Sequence, residues 1–216
     1  MFAVGRQRAN KSLFAFSEWF LYWLRGAFAV CSGGCKRRSK AEPMAYSPQH
    51  IANYFLDQAE AEGRPMEQMK LIKLVYIAYG WFLALKNEKL FDEPIQAWDH
   101  GPVIPSIYHE FKHYRGDPIH ERSAFYDLDT SEFIYPDVEP TDLETRDVLS
   151  KVWAAYRGFS GWSLRNKTHQ PGTPWTDTYE KGVRNKVIPD HLIAQHFAQK
   201  IGEILDAVDT AEPATA

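Results

Sequence analysis

The fifteen residues LIKLVYIAYGWFLAL, Leu71–Leu85, decide the fold. Lys73 is their only charged side chain, so apolar groups would surround a helix of this sequence on nearly every side. That pattern is typical of a central helix that its neighbours bury. The stretch is too short to span a bilayer, which takes about 20 residues. We therefore predict a helix over about residues 66–85 at the centre of a globular domain, with its aromatic side chains in the core.

An amphipathic helix precedes the central one. Ser47 can cap its first turn, and Pro48 at the first helical position has no amide hydrogen to leave unpaired. Its apolar side chains recur at helical spacing up to Gly63, where we expect the helix to end. These side chains are Ile51, Tyr54, Phe55 and Ala59.

Two short extended regions follow the central helix. Residues 95–98 alternate between apolar and polar side chains and lead into the turn sequence His100-Gly101-Pro102. Residues 124–128 and 132–135 form a second extended pair, and Asp129-Thr130-Ser131 turns between them. We expect a small antiparallel β element.

Helical patterns return in the last third of the chain. Thr141-x-x-Glu144 reads as a capping box, and a second helix begins near Ser160. Asp190 is the expected cap of a last helix over residues 192–208. The first of these helices would bury Val148, Leu149, Val152 and Trp153. The predicted class is α+β and predominantly α-helical: a compact domain over residues 44–208 with a central buried helix, followed by a disordered tail over residues 209–216.

Charge divides the chain into two unlike segments. Residues 1–43 contain eight lysines and arginines and two glutamates, a net charge of +6, whereas the remaining residues carry 17 basic and 26 acidic side chains, a net charge of −9. An acidic body disfavours nucleic-acid phosphates as a partner, because their binding draws on lysine and arginine. A basic protein partner suits this balance better.

The basic N-terminal extension, residues 1–43, is open to three interpretations. Ala27-Phe28-Ala29 resembles a signal-peptide cleavage site, but Glu18 and Arg25 interrupt and flank the apolar run before it. The extension can also be a disordered or membrane-touching arm. We favour the third interpretation, an upstream start codon with Met44 as the functional start. Both cysteines lie in this extension, so the body has no thiols, which suits a cytoplasmic protein.

One motif suggests a zinc enzyme. His109-Glu110-x-x-His113 has the spacing by which a helix offers two imidazoles to zinc. The next histidine, His120, comes one residue later than the metzincin pattern requires, and every methionine precedes the motif. By the helical period, the first two histidines lie about 200° from the apolar face of their helix, so we expect them to face solvent. A zinc metallopeptidase, with Glu144 as a later ligand, stays as an alternative.

Other catalytic signatures are missing from the sequence. It contains no Gly-x-Gly-x-x-Gly, no Walker loop and no Gly-x-Ser-x-Gly elbow, and the body has no cysteine to act as a nucleophile. We therefore expect a protein without catalytic residues, cofactor or metal.

Four blocks of sequence, in order, resemble the Panacea domain, also described as the phage-associated GepA-like or SocA-like domain. They are Lys70–Trp81, Leu90–Trp98, His100–Tyr108, and a late block that runs from Leu164 through Thr168-His169 and Pro174-Trp175 to Pro189. The resemblance covers about residues 46–205. In that family a tyrosine, a glutamate, a phenylalanine and a lysine commonly follow the Gly-Pro-Val turn. These are Tyr108, Glu110, Phe111 and Lys112 here, so the resemblance makes the two neighbouring histidines incidental.

The resemblance implies an antitoxin of a bacterial or phage toxin-antitoxin system, which binds and neutralises a co-encoded toxin. Neutralisation would proceed either by covering the active surface of the toxin or by delivering the toxin to a protease. The expected partners are thus the cognate toxin and, for an adaptor, a protease, with no nucleic acid and no membrane contact for residues 44–216. A general protein-interaction scaffold is the remaining alternative.

The candidate partner-binding residues lie in or next to two segments, residues 98–105 and 169–175. They are Trp98, His100, Gly101, Pro102, Tyr108, His169, Pro174 and Trp175. The tryptophans offer large rigid areas of the kind that anchor interfaces, and Gly101 permits a close backbone approach. A structural explanation competes with this one. Trp98 can lock a strand onto a helix, and His169 can hydrogen-bond a neighbouring carbonyl and hold the proline loop in place.

Overall fold

A computed structural model describes residues 46–209 of the chain, and the side chains of residues 46–203. The chain divides into two compact units. The first is Glu42–Ala198, and the second comprises Met1–Ala41 and Gln199–Ala216. The expectations for residues 1–43 and for the tail after Asp209 lie outside the described residues.

Helices dominate the described residues, and five short strands accompany them. The helices are α1 (Pro48–Ala61), α2 (Gln68–Lys86), α3 (Pro105–Phe111), α4 (Leu143–Tyr156), α5 (Gly161–Thr168), α6 (Pro174–Thr178) and α7 (Asp190–Asp209). The strands are β1 (Gln96–Trp98), β2 (Gly101–Val103), β3 (Phe125–Asp127), β4 (Glu132–Ile134) and β5 (Lys186–Val187). The predicted class, α+β and predominantly helical, is confirmed.

Helix α2 lies at the centre of the first unit, where it contacts α1, α3, α4, α5 and β2. Leu71, Leu74 and Val75 are fully buried, and each apolar side chain of this size contributes about 1.5–3 kcal/mol on burial. Gly80 in mid-helix has a packing reason, because a Cβ there would lie 2.1 Å from the ring of Phe197. The central helix predicted from the sequence is therefore confirmed.

The N-terminal residues of three helices can be compared with the caps predicted from the sequence. Ser160 Oγ accepts a hydrogen bond from the Ser163 amide at 3.2 Å, as predicted for the start of α5. The predicted capping box at Thr141 is wrong by one residue, because Asp142 Oδ1 accepts from the Thr145 amide at 3.0 Å and caps α4. Asp190 is the first residue of α7 rather than its cap.

Two antiparallel systems make up the β structure. Strand β1 lies between β2 and β5, with Trp98 opposite Gly101. Gly101 and Pro102, which the sequence places in the turn, therefore belong to β2, and the turn is Asp99-His100. The second predicted pair is confirmed as the hairpin β3–β4, in which Ser131 takes a positive φ of 56° in the turn.

In the second unit the structure describes residues 199–209, the C-terminal part of α7. Its described side chains interact along the helix: Gln199 Nε2 donates to Glu203 Oε1 at 3.1 Å, and Lys200 pairs with Glu203 at 3.6 Å. Within residues 46–209, none of the helices has both the length and the apolar character that a bilayer crossing would demand.

Candidate protein-binding cleft

Lys73 joins the central helix to the β1–β2 hairpin. Its ammonium donates to the Pro102 carbonyl at 2.9 Å, and its side chain is only 1% exposed. Burial lowers the pKa of Lys73 to about 7, and the charge of Arg165 adds to this effect. Gly101 makes the close contact possible, because its φ is +103° and a Cβ there would lie 2.7 Å from Lys73 Nζ. The hairpin is thus fixed to α2 at the end where the candidate residues lie.

Trp98 and Tyr108 form an aromatic pair between the hairpin and α3. Their ring centroids lie 4.8 Å apart in a T-shaped arrangement, and both side chains are half-buried. Trp98 Nε1 donates to Gln96 Oε1 at 2.9 Å, and Gln68 Nε2 donates to the Tyr108 carbonyl at 2.7 Å. Trp98 therefore packs strand β1 against helix α3, and its ring still reaches the surface.

The loop that carries His169 and the short helix α6 packs against the outer end of the same hairpin. Trp175 Nε1 donates to the Trp98 carbonyl at 2.8 Å, and its ring stacks on Tyr179 at 4.6 Å. His169 Nδ1 donates to the Arg165 carbonyl at 2.7 Å, and its ring lies 3.8 Å from that of Trp175. Burial lowers the pKa of His169, which favours its neutral form. This histidine holds the loop in place, as its structural explanation requires.

Pro174 and His100 complete the set of candidate residues. Pro174 is buried as the first residue of α6, where its missing amide hydrogen costs nothing. His100 is exposed in the turn of the hairpin, and its ring lies 6.4 Å from that of Trp162 on α5. The two segments predicted from the sequence are therefore neighbours in the fold.

A cleft of about 610 Å³ borders this hairpin, and His100 is among its lining residues. Trp98 and Tyr108 line it together with Lys73. Arg115 and Arg184 line it as well, and both are exposed. The lining therefore carries the basic side chains of Lys73, Arg115 and Arg184 but only one carboxylate, that of Asp99. Residues 44–216 as a whole are acidic. Clefts of this size with apolar walls and a few charged groups are typical of binding sites.

Comparison of the sequence with known proteins finds one matching family description. A family model described as "Antitoxin SocA-like, Panacea domain" matches residues 71–176. A relative, Antitoxin SocA of Caulobacter vibrioides, is 29% identical over 183 residues, which cover 80% of this chain and 96% of the relative. Residues 71–176 therefore resemble a SocA-like Panacea domain. No solved structure matches the chain significantly.

The matched residues contain the hairpin, its lysine anchor and the tryptophan loop, but only part of the cleft. Residues 68–69 and 183–185 also line the cleft and lie outside the match. Part of the cleft lining therefore lies outside the family match.

Among the described residues, the zinc motif at His109 and His113 does not assemble a ligand set. His109, His113 and His120 are all exposed, as expected for the first two, and His113 Nδ1 donates to the Glu110 carbonyl at 3.0 Å. Glu144 pairs with Lys86 instead, at 2.9 Å. Across residues 46–209, no group of three histidine, cysteine, aspartate or glutamate side chains is placed to hold a metal. His109 lines the cleft, with its ring 5.4 Å from that of Tyr108.

Sequence reasoning missed two kinds of residue on the lining of the cleft. Lys73 was visible as the only charge in an apolar helix, and that exception was the signal for a buried, functional contact. Arg184 and Asn185 carried no comparable signal, because they lie in a polar loop that only the fold brings to the cleft.

Proposed function

We propose that this Panacea domain is an antitoxin, which binds and neutralises a toxin encoded beside its own gene. The description of the family and the name of the Caulobacter relative support this role. In this chain the observation that carries it is the cleft, which combines aromatic walls with exposed cations. The activity is a binding reaction in the cytoplasm, with no chemical step performed by this chain.

The chemistry of the cleft favours an acidic and apolar segment of the toxin. Trp98 and Tyr108 offer flat apolar area, and guanidinium groups such as those of Arg115 and Arg184 bind carboxylates with paired donors. A carboxylate that reached the floor of the cleft would also favour the charged form of Lys73. A segment with one carboxylate next to an aromatic or aliphatic side chain meets these conditions.

Co-expression with the product of the neighbouring gene tests the proposal. We expect that product alone to arrest growth, the native chain to rescue growth, and the two proteins to be recovered as a complex. Arg184→Glu should weaken rescue and lower the affinity of the complex about tenfold, because it places a repulsive charge on the cleft. Lys181→Glu is the matched control, since Lys181 is an exposed cation of the same loop that does not line the cleft.

Two outcomes contradict the proposal. A neighbouring product that is harmless and does not bind the native chain favours the interaction-scaffold alternative. Equal loss of binding in Arg184→Glu and Lys181→Glu places the contact outside the cleft. The fate of the toxin then separates the two modes of neutralisation: occlusion leaves the toxin intact and inactive in the purified complex, whereas delivery lowers the amount of toxin in cells that contain the protease.

A further inference from the structure

The β3–β4 hairpin exposes an unusual amount of apolar surface. Phe125, Tyr126, Leu128, Phe133, Ile134 and Tyr135 are between 38% and 83% exposed. Tyr126 and Phe133 contact each other across the strands, with ring centroids 5.2 Å apart, and still reach solvent. Contiguous exposed apolar surface of this kind marks a place where another molecule binds.

The base of the hairpin is firmly held, so its exposure does not reflect a loose attachment. Asn53 on α1 is fully buried and bonds both ends of the hairpin segment. Its Nδ2 donates to the carbonyls of Ser123 at 3.0 Å and Pro136 at 2.8 Å, and its Oδ1 accepts from the Ser123 amide at 2.7 Å. Among the described strands, β3 and β4 pair only with each other. The hairpin is thus a fixed projection with free strand edges.

The charge of this segment indicates the kind of partner. Between residues 124 and 144 the chain carries seven carboxylates and no lysine or arginine. They are Asp127, Asp129, Glu132, Asp137, Glu139, Asp142 and Glu144. In the part of the chain that the structure describes, Asp137 and Glu144 pair with basic side chains, whereas the three carboxylates of the hairpin itself do not. A basic surface with apolar groups is complementary to this hairpin.

We infer that the β3–β4 hairpin is a second docking surface, which binds a basic and apolar surface of the toxin. The inference rests on the proposed antitoxin role. Phe125 and Phe133 are the expected anchors, because exposed aromatic side chains bury large areas at little cost in conformational freedom. The carboxylates speed encounter with a basic partner and repel nucleic acids and anionic lipids.

Binding of the purified neighbouring-gene product tests the inference with two kinds of variant. Phe125→Ser/Phe133→Ser should lower the affinity at least about tenfold, as expected when two anchors are lost, without lowering the melting temperature. Trp162→Ser is the matched control, since Trp162 is an aromatic side chain of similar exposure, 58%, on α5. Asp129→Lys/Glu132→Lys should slow association and reduce its dependence on salt concentration.

Each outcome separates the two proposals. If the native chain binds the toxin and both hairpin variants bind equally well, the hairpin inference is wrong and the antitoxin role stands. If the native chain does not bind the neighbouring product, both proposals fail. Binding of the native chain to phosphatidylcholine vesicles that Phe125→Ser/Phe133→Ser abolishes would assign the hairpin to a lipid surface and overturn the inference.

Discussion

Lys73 makes the stability of the domain depend on pH. Its pKa is about 7 in the folded state, chiefly because of burial, against 10.5 for an ordinary lysine. Between these two values the unfolded chain keeps the proton that the folded chain has lost, so the free energy of unfolding rises with pH. Below pH 7 both states are charged, and the folded state bears the full cost of the buried charge.

Lys73→Met should remove this dependence. Between about pH 7.5 and 9 the free energy of unfolding of the native chain should rise relative to the variant by up to about 1.4 kcal/mol per pH unit. Urea unfolding of both proteins across this range measures the difference. The lost hydrogen bond to Pro102 lowers the free energy of unfolding of the variant by the same amount at every pH. If the free energies of the two proteins rise equally with pH, Lys73 does not titrate in this range and another group causes the rise.

Gly101→Ala should lower the free energy of unfolding by on the order of 1–3 kcal/mol, through backbone strain and overpacking together. The added Cβ would lie 2.7 Å from Lys73 Nζ and 3.0 Å from Thr168 Oγ1, at a φ of +103°. Gly172→Ala is the control, because Gly172 has a φ of +75° but no atom within 4 Å of a Cβ. Denaturant unfolding of the two variants separates crowding from strain, and equal losses would leave crowding without effect.

Helices and hairpins follow from the sequence where their causes are local. The apolar stretch of α2 and the turn before β4 are such cases, because periodicity and turn residues act over a few positions. The sequence pattern places the cap of α4 at Thr141 instead of Asp142, because both residue types are good caps. The choice of Asp142 accompanies a distant contact, in which the Tyr46 hydroxyl donates to Asp142 Oδ2 at 2.9 Å.

The candidate site could be predicted only in part, because it too depends on contacts between distant parts of the chain. Its aromatic residues stand out in the sequence, but the bond from Trp175 to the Trp98 carbonyl joins positions 77 residues apart. The loop of Arg184 reaches the cleft only through the pairing of β5 with β1. Contacts of this range depend on the packing of whole elements, which no short motif records.

Asn53→Ala should release the β3–β4 hairpin from α1. The change removes three buried hydrogen bonds and leaves their backbone partners unsatisfied, at a cost of roughly 2–4 kcal/mol. Hydrogen exchange of residues 123–136 should become faster in the variant, and urea unfolding gives the loss of stability. Asn166→Ala serves as the exposed control, and unchanged exchange in the hairpin of the Asn53 variant would show that other contacts hold it.

The whole domain should be stable without metal. A metal ion stabilises a protein only if it binds the folded state better than the unfolded state, and residues 46–209 offer no three-ligand group. We predict that dialysis against EDTA leaves the melting temperature unchanged, and that His109→Ala/His113→Ala behaves like the native chain in the same assay. A melting temperature that falls with EDTA and recovers with zinc would revive the metallopeptidase alternative.

The central position of α2 has a consequence for the synthesis of the chain on the ribosome. Lys70 donates to the carbonyl of Arg157, 87 residues further along the chain. At a synthesis rate of about 5–20 residues per second, the ribosome finishes α2 roughly 4–14 seconds before that carbonyl exists. During this interval α2 can pack against α1, α3 and β2, but the apolar surface that α4 and α5 will cover stays exposed. We therefore expect ribosome-bound chaperones to bind α2 before the rest of the domain has been made.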